Sequence, residues 1–196
     1  EGKIFDEQNV EFNGSVIEFR NDKLFVNGDP FQIRGVNGDL GIEWENDRTQ
    51  TRRRWLNRLA FFKNLGFNAL RLEGCTAEQI EDALQAGIMV VPVYASGSCN
   101  TTEVALGNLD KPDFQFITDP HEEMARQLNH CPNILFWNSG NENHPTAGYN
   151  DKVLMDRYLA VARERLRGAD SDRRPVTYAN LDTFGNFWFF TAGQDV

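Results

Sequence analysis

Short apolar runs and amphipathic stretches take turns along this chain. Val16 to Arg20 and Leu24 to Val26 are β-like runs around the turn Asn21-Asp22, and Asn27-Gly28-Asp29-Pro30 is a second strong turn signal. Phe31 to Val36 reads as a strand ending at Asn37-Gly38-Asp39. From Arg48 to Leu65 the apolar residues Trp55, Leu56, Leu59, Phe62 and Leu65 recur at helical spacing, and Gly66 follows as a stop. Phe67 to Leu72 is the next strand. Thr76-Ala-Glu-Gln79 is a capping box that opens a helix, which Gly87 closes. Ile88 to Tyr94 is apolar and β-branched, hence a buried strand. Asp119-Pro120 places a cap and a first-turn proline ahead of a helix to about Asn129. Ile134 to Asn138 is a further strand, Asp151 to Arg167 a long amphipathic helix, and Pro175 to Ala179 and Asn186 to Phe190 are the last strand candidates.

Near-continuous apolar strands alternating with helices predict a parallel sheet covered by helices. A barrel and an open doubly wound sheet both satisfy that pattern. No Gly-x-Gly-x-x-Gly follows the first strand and no phosphate loop occurs. Chemically equipped residues instead follow several different strands: Asn37 and Asp39, Arg71 and Glu73, Tyr94, Asn141 and Glu142, Tyr178 and Asn180. Convergence from many strand ends favours the mouth of a (β/α)8 TIM-like barrel. The pattern yields about six strands, so the barrel reads as truncated after the sixth. The expected organisation is a linker and β-hairpin over residues 1–30 and a partial barrel over 31–196.

Bulk properties narrow the partners. The 196 residues suffice for one domain with a substantial core. A formal charge of −9 argues against a nucleic acid or an anionic membrane. Arg52-Arg53-Arg54 falls inside a helical pattern beside acidic residues and reads as a solvated face. No apolar run approaches membrane-spanning length. No signal peptide is visible, and a start at Glu1 leaves targeting illegible. The sequons at Asn13 and Asn100 lean toward an extracellular or secretory setting. Cys75, Cys99 and Cys131 match neither a metal knuckle nor a complete disulfide framework. The three histidines are scattered, so no metal or organic cofactor is implied, and His121 and His130 are expected near helix ends in capping or surface roles.

Glu142 is the first candidate for chemistry, being a carboxylate delivered at the end of a buried strand. Burial that raises its pKa would make it a general acid, although a helix cap or surface charge fits the same position. Asn141 beside it offers both a donor and an acceptor for a ligand hydroxyl. Arg71 is placed to orient a carboxylate or to form a structural ion pair. Trp44, Tyr94, Trp137 and Trp188 are candidates for stacking on a sugar face, with Trp137, inside the apolar run, better suited to the core.

The order of these segments carries a resemblance. Leu24-Phe-Val-Asn-Gly-Asp-Pro-Phe-Gln-Ile-Arg-Gly-Val-Asn37 resembles the entry to the catalytic barrel of glycoside hydrolase family 2. Phe62-Lys-Asn-Leu-Gly-Phe-Asn-Ala-Leu-Arg71 is similar to its first helix and second strand, and Ala86-Gly-Ile-Met-Val-Val-Pro92 to its third strand. Asn129-His-Cys-Pro-Asn-Ile-Leu-Phe-Trp-Asn-Ser-Gly-Asn-Glu142 resembles the segment bearing its acid/base, and Arg174-Pro-Val-Thr-Tyr178 its fifth strand. The transglycosylases of family 72, in the same wider clan, carry similar Gly-Asn-Glu and Leu-Gly-x-Asn-x-x-Arg segments. The resemblance implies retaining hydrolysis of β-glycosides, with Glu142 as acid/base and Asn141 on the sugar 2-hydroxyl. It implies that Arg71 orients the nucleophile and that Asn37 lines the pocket. Glu73, Tyr94, Tyr178 and Trp188 complete the expected substrate-binding set.

Two departures stand beside it. Glu73-Gly-Cys75 occupies the place of a histidine-bearing segment of family 2, and no glutamate follows Glu164, whereas the family nucleophile lies on the seventh strand. Glu73, Asp39 and Asp182 are the alternatives within the chain, none at the expected position. The nucleophile is therefore expected outside this chain, on another chain or segment that completes the barrel. The partner is expected to be a β-linked oligo- or polysaccharide. The alternatives are an inactive carbohydrate-binding or scaffold module, or a guiding domain in a larger glycan-synthesis or remodelling assembly.

Overall fold

The computed structural model describes residues 16–21, 23–38, 48–93, 115–141 and 152–179. They form two sheets and four helices. Strands β1 (Ile17–Arg20), β2 (Lys23–Val26) and β3 (Asp29–Pro30) make a small antiparallel sheet in the order β1-β2-β3. Strands β4 (Gly35–Asn37), β5 (Ala69–Glu73), β6 (Met89–Val93), β7 (Trp137–Asn141) and β8 (Val176–Ala179) follow in sequence order as one five-stranded parallel sheet. The helices between them are α1 (Arg48–Asn64), α2 (Ala77–Gln85), α3 (Gln115–Leu128) and α4 (Lys152–Ala169). Parallel strands in sequence order, with helices between them, give the α/β pattern that the apolar runs predicted.

Strand alternation divides the apolar residues between two faces. Leu70, Leu72, Val90, Ile134, Trp137 and Val176 turn outward to meet Trp55, Leu59 and Phe62 of α1, Ile80 and Ala83 of α2, Ala125 and Leu128 of α3 and Leu166 of α4. Each fully buried aliphatic side chain among them contributes about 1.5–3 kcal/mol. On the other face Ala69, Val91 and Leu135 pack with Leu24 of the hairpin, supported by Ile17, Val26, Phe31 and Met89. The hairpin thus lies against the end where the parallel strands begin. Its tight turn is made by Asn27 and Gly28, both at positive φ (54° and 86°), as the Asn-Gly signal requires.

Several boundaries differ from the sequence pattern, each for a local reason. Residues 31–34 are not strand. Phe31 N–H donates to Leu24 O (2.8 Å), Arg34 N–H to Asn68 Oδ1 (2.7 Å), and Asn68 Nδ2 to Gln32 O (2.9 Å). Arg34 O also accepts from the Asn68 backbone N–H (3.0 Å), so this stretch is held by the hairpin and by Asn68, and the paired register starts at Gly35. Helix α3 starts at Gln115, so Pro120 lies inside it and does not open it; there it removes one internal hydrogen bond and its ring crowds the carbonyl four residues earlier. Strand β7 begins at Trp137, after an isolated bridge from Ile134 to Val90, and runs on through polar residues because β8 pairs with them. Leu56 of α1 and Leu65 just after it are exposed while Trp55, Leu59 and Phe62 are buried, which narrows the apolar stripe. The Thr76 capping box is present with both reciprocal bonds.

Polar groups tie the helices to one another. Arg52, the first residue of the basic cluster, pairs with Glu78 (2.8 Å) and with the buried Asp82 (2.9 Å), joining α1 to α2, and the Asp82 hydrogen bond chiefly raises its pKa. Glu122 on α3 accepts from Arg165 of α4 (2.7 Å) and from Arg126. These two hydrogen bonds, Arg165 first, hold its carboxyl below the ordinary value of 4.5. A depressed folded pKa means stability that is present above the unfolded value and lost as pH falls through the folded one. Glu122→Gln is therefore expected to lower the thermal midpoint at pH 7, and the gap to wild type should close as acid titration passes below 4.5. A gap that persists unchanged in strong acid would contradict this.

Candidate functional site

The inner face of the parallel sheet changes character along its strands. At the start of the strands it is Ala69, Met89, Val91 and Leu135, closed by the hairpin. At the C-terminal ends it becomes polar. Register pairs Asn37 with Arg71, and Arg71 and Glu73 are two residues apart on one strand, so all three share a face. Arg71 Nη1 donates to Glu73 Oε1 at 3.0 Å and lies 3.4 Å from Asn37 Oδ1. The Arg71 side chain is 20% exposed and that of Glu73 is 39% exposed. The planar guanidinium is thereby fixed between a neutral and a charged acceptor, which suits it to orient further oxygen-bearing groups. Gly38, which follows Asn37, donates its N–H to Arg71 O (2.9 Å), and a Cβ there would collide with Leu72.

Strand β7 brings Asn141 to the same end of the sheet. Its register with β8 pairs Asn138 with Thr177 and Asn141 with Ala179, so three steps on β7 match two on β8. This is a β-bulge, a feature that re-aims a strand beside active sites. Inside it Gly140 N–H donates to Asn138 Oδ1 (3.0 Å) and Ser139 Oγ to Thr177 O (3.2 Å). Glu142, next in the chain, lies outside the described residues, as do Asp39, Trp44, Tyr94, Asn180, Asp182, Trp188, the strand candidate 186–190 and both sequons.

The structure thus brings Asn37, Arg71 and Glu73 together. It sets Tyr178 elsewhere: alternation along β8 puts it on the face of Val176, which packs outward, and it is buried. Trp137 is also core. It is fully buried, and its Nε1–H donates to Asp170 Oδ2 at 2.8 Å, so stacking on a sugar is not open to it. His121 is not at a helix end. It lies within α3, fully buried, against the Ser139 carbonyl. His130 is exposed, as expected. Cys75 and Cys131 are free thiols, and burial pushes Cys131 up to about 11. Among the described residues no group of three or more His, Cys, Asp or Glu is placed to hold a metal, and no helix is long and apolar enough to cross a membrane.

Sequence reasoning missed the polar residues that hold β7 in place. Asn133 Nδ2 donates to Ile80 O (2.9 Å) and Ile88 O (3.1 Å), fixing the entry to the strand. Asp170 and Arg174, each 2% exposed, clamp its start: Arg174 Nη1 meets Asp170 Oδ1 at 2.7 Å, and its Nη2 donates to Asn129 O and Cys131 O (both 3.2 Å) and to Asp172 Oδ2 (2.7 Å). An ionisable pair that follows a helix and precedes a strand was the available signal.

No protein-family model and no curated protein sequence matches the chain. Solved structures do. β-Glucuronidase of Bifidobacterium dentium superposes with a TM-score of 0.62 at 15% identity, over 87% of this chain and 27% of that one. Endo-1,4-β-mannanase of Rhizomucor miehei gives 0.64 at 12% identity, over 91% and 65%, and β-mannanase of the blue mussel Mytilus edulis gives 0.65 at 11%, over 85% and 64%. The chain therefore spans about a quarter of the glucuronidase and just under two-thirds of each mannanase. At these identities the likeness is one of fold: this chain has the α/β architecture of the glycoside-hydrolase barrels.

Proposed function

We propose that the chain is the acid/base-bearing part of a retaining β-glycosidase of the family 2 type, acting on β-linked oligo- or polysaccharide. The observation that carries this reading is the fixed Asn37–Arg71–Glu73 cluster, on the inner face at the same sheet end to which β7 delivers Asn141. Glu142 protonates the leaving oxygen and then activates water, and Asn141 holds the sugar 2-hydroxyl, whose hydrogen bond strengthens in the transition state. Arg71 aligns the nucleophilic carboxylate, roughly 5–5.5 Å from Glu142 in a retaining site. Tyr94 and Trp188 contribute to the sugar platform. Residues 31–196 form the barrel part and 1–30 its lead-in, and strands from another segment or chain supply the nucleophile. The sequons fit a secretory setting.

The test is hydrolysis of aryl β-glycosides by the protein together with whatever completes its barrel, compared with Glu142→Gln. Full activity in that variant would sink the acid role. A second reading, a carbohydrate-binding or scaffold domain, draws on one observation. The described inner-face positions hold a single carboxylate, Glu73, and it is engaged by Arg71. Saturable glycan binding with no turnover would favour that reading, and stable co-purification with other subunits would place it in a larger assembly.

A further inference from the structure

A buried histidine stands directly behind the bulge and has no part in the proposed chemistry. His121 Nε2 lies 2.7 Å from the Ser139 carbonyl oxygen, and the ring is fully buried. A carbonyl oxygen only accepts, so Nε2 carries the proton and donates it. Ser139 lies inside the bulge, where the extra residue takes the backbone off its regular ladder. Buried carbonyls displaced in this way need another partner, and the helical layer supplies one through His121. The Asn138 side chain closes the bulge from within by accepting from Gly140 N–H, and Ser139 Oγ closes it toward β8 by donating to Thr177 O. The bulge is thus pinned from three directions, two residues before Glu142.

We propose that His121 is a positioning residue. By holding the Ser139 carbonyl it fixes the bulge, and so the height and phase at which the strand reaches Asn141, the residue before Glu142. The catalytic half of this statement rests on the acid role assigned to Glu142 above; the structural half does not. Two variants separate the hydrogen bond from the bulk of the ring. His121→Phe keeps the ring and removes the donor, whereas His121→Gln returns an N–H at about the same reach. Amide hydrogen exchange at Gly140 reads the bulge, and kcat and KM on an aryl β-glycoside read its consequence.

The Phe variant is expected to speed Gly140 exchange at least about tenfold and to lower kcat about 100-fold with KM changed only a few-fold, the pattern of a misplaced catalytic group. The Gln variant is expected to keep both near wild type. If the Phe variant does not fold, His121→Asn, whose amide is too short to reach, should release Gly140 in its place. Retained protection of Gly140 in the Phe or Asn variant, or a Gln variant as impaired as they are, would overturn the proposal. If the wild type turns over no glycoside, the acid role fails and Gly140 exchange alone decides whether His121 holds the bulge.

Discussion

Arg174→Ala is expected to lower the stability of the fold by about 3–5 kcal/mol, the usual cost of removing one partner from a buried ion pair. Side-chain exposure is 1% for Arg174 and 0% for Asp170, so the abandoned carboxylate has no solvent to turn to. The loss extends beyond the pair. Asp170 also accepts from Trp137 Nε1 and from the Arg174 backbone, while Arg174 donates to the carbonyls of Asn129 and Cys131. One guanidinium therefore joins the end of α3, the end of α4 and the start of β7. For a chain of this size the change corresponds to a fall of roughly 6–20 °C in thermal midpoint. Arg53→Ala, at an exposed position of α1, serves as the control and should cost less than about 0.5 kcal/mol. A loss below about 1 kcal/mol for Arg174→Ala, set against the usual cost of such a break, would show that the network does not hold the fold.

The other large effect expected is on turnover. Glu142→Gln should reduce hydrolysis of β-glycosides by on the order of 10²–10⁴-fold, the range that general acid–base catalysis contributes. The loss should depend on the leaving group. A glycoside with a poor leaving group needs the proton in the first step and should suffer most. One with an activated aryl group departs unaided, and there the defect should appear in the hydrolysis of the glycosyl-enzyme, where Glu142 acts as base. An equal loss for both classes of substrate would argue against the acid/base assignment. Stability should change little, so a matching thermal midpoint for variant and wild type separates chemistry from folding.

How much was legible follows from the range over which each signal acts. The Thr76 box and the turn at Asn27-Gly28 are local, and they stand in the structure as the residues predicted. The alternation of apolar strands with helices likewise sufficed for a parallel sheet, because each strand had to be buried on both faces. The ionisable pair Asp170 and Arg174 was visible in the sequence but its role as a clamp was not, since Asn129 and Trp137 meet it only after α3, β7 and α4 have packed. The bulge in β7 was hidden for a similar reason: its existence depends on the register with β8. At the site, the pattern put Asn37 and Arg71 at the ends of two strands, and the register between those strands sets them side by side. The sequence left open whether Arg71 orients a carboxylate or forms a structural pair; its contacts with Glu73 and Asn37 became visible only with the strands in register.

The hairpin packed on Ala69, Val91 and Leu135 gives the molecule a front and a back. With Leu24 seated where the parallel strands begin, that end of the described inner face is covered, and the polar strand ends lie at the opposite one. Anything fastened near the Asn27-Gly28 turn, whether a neighbouring domain or a solid support, is attached at the end of the sheet away from Asn37, Arg71 and Glu73.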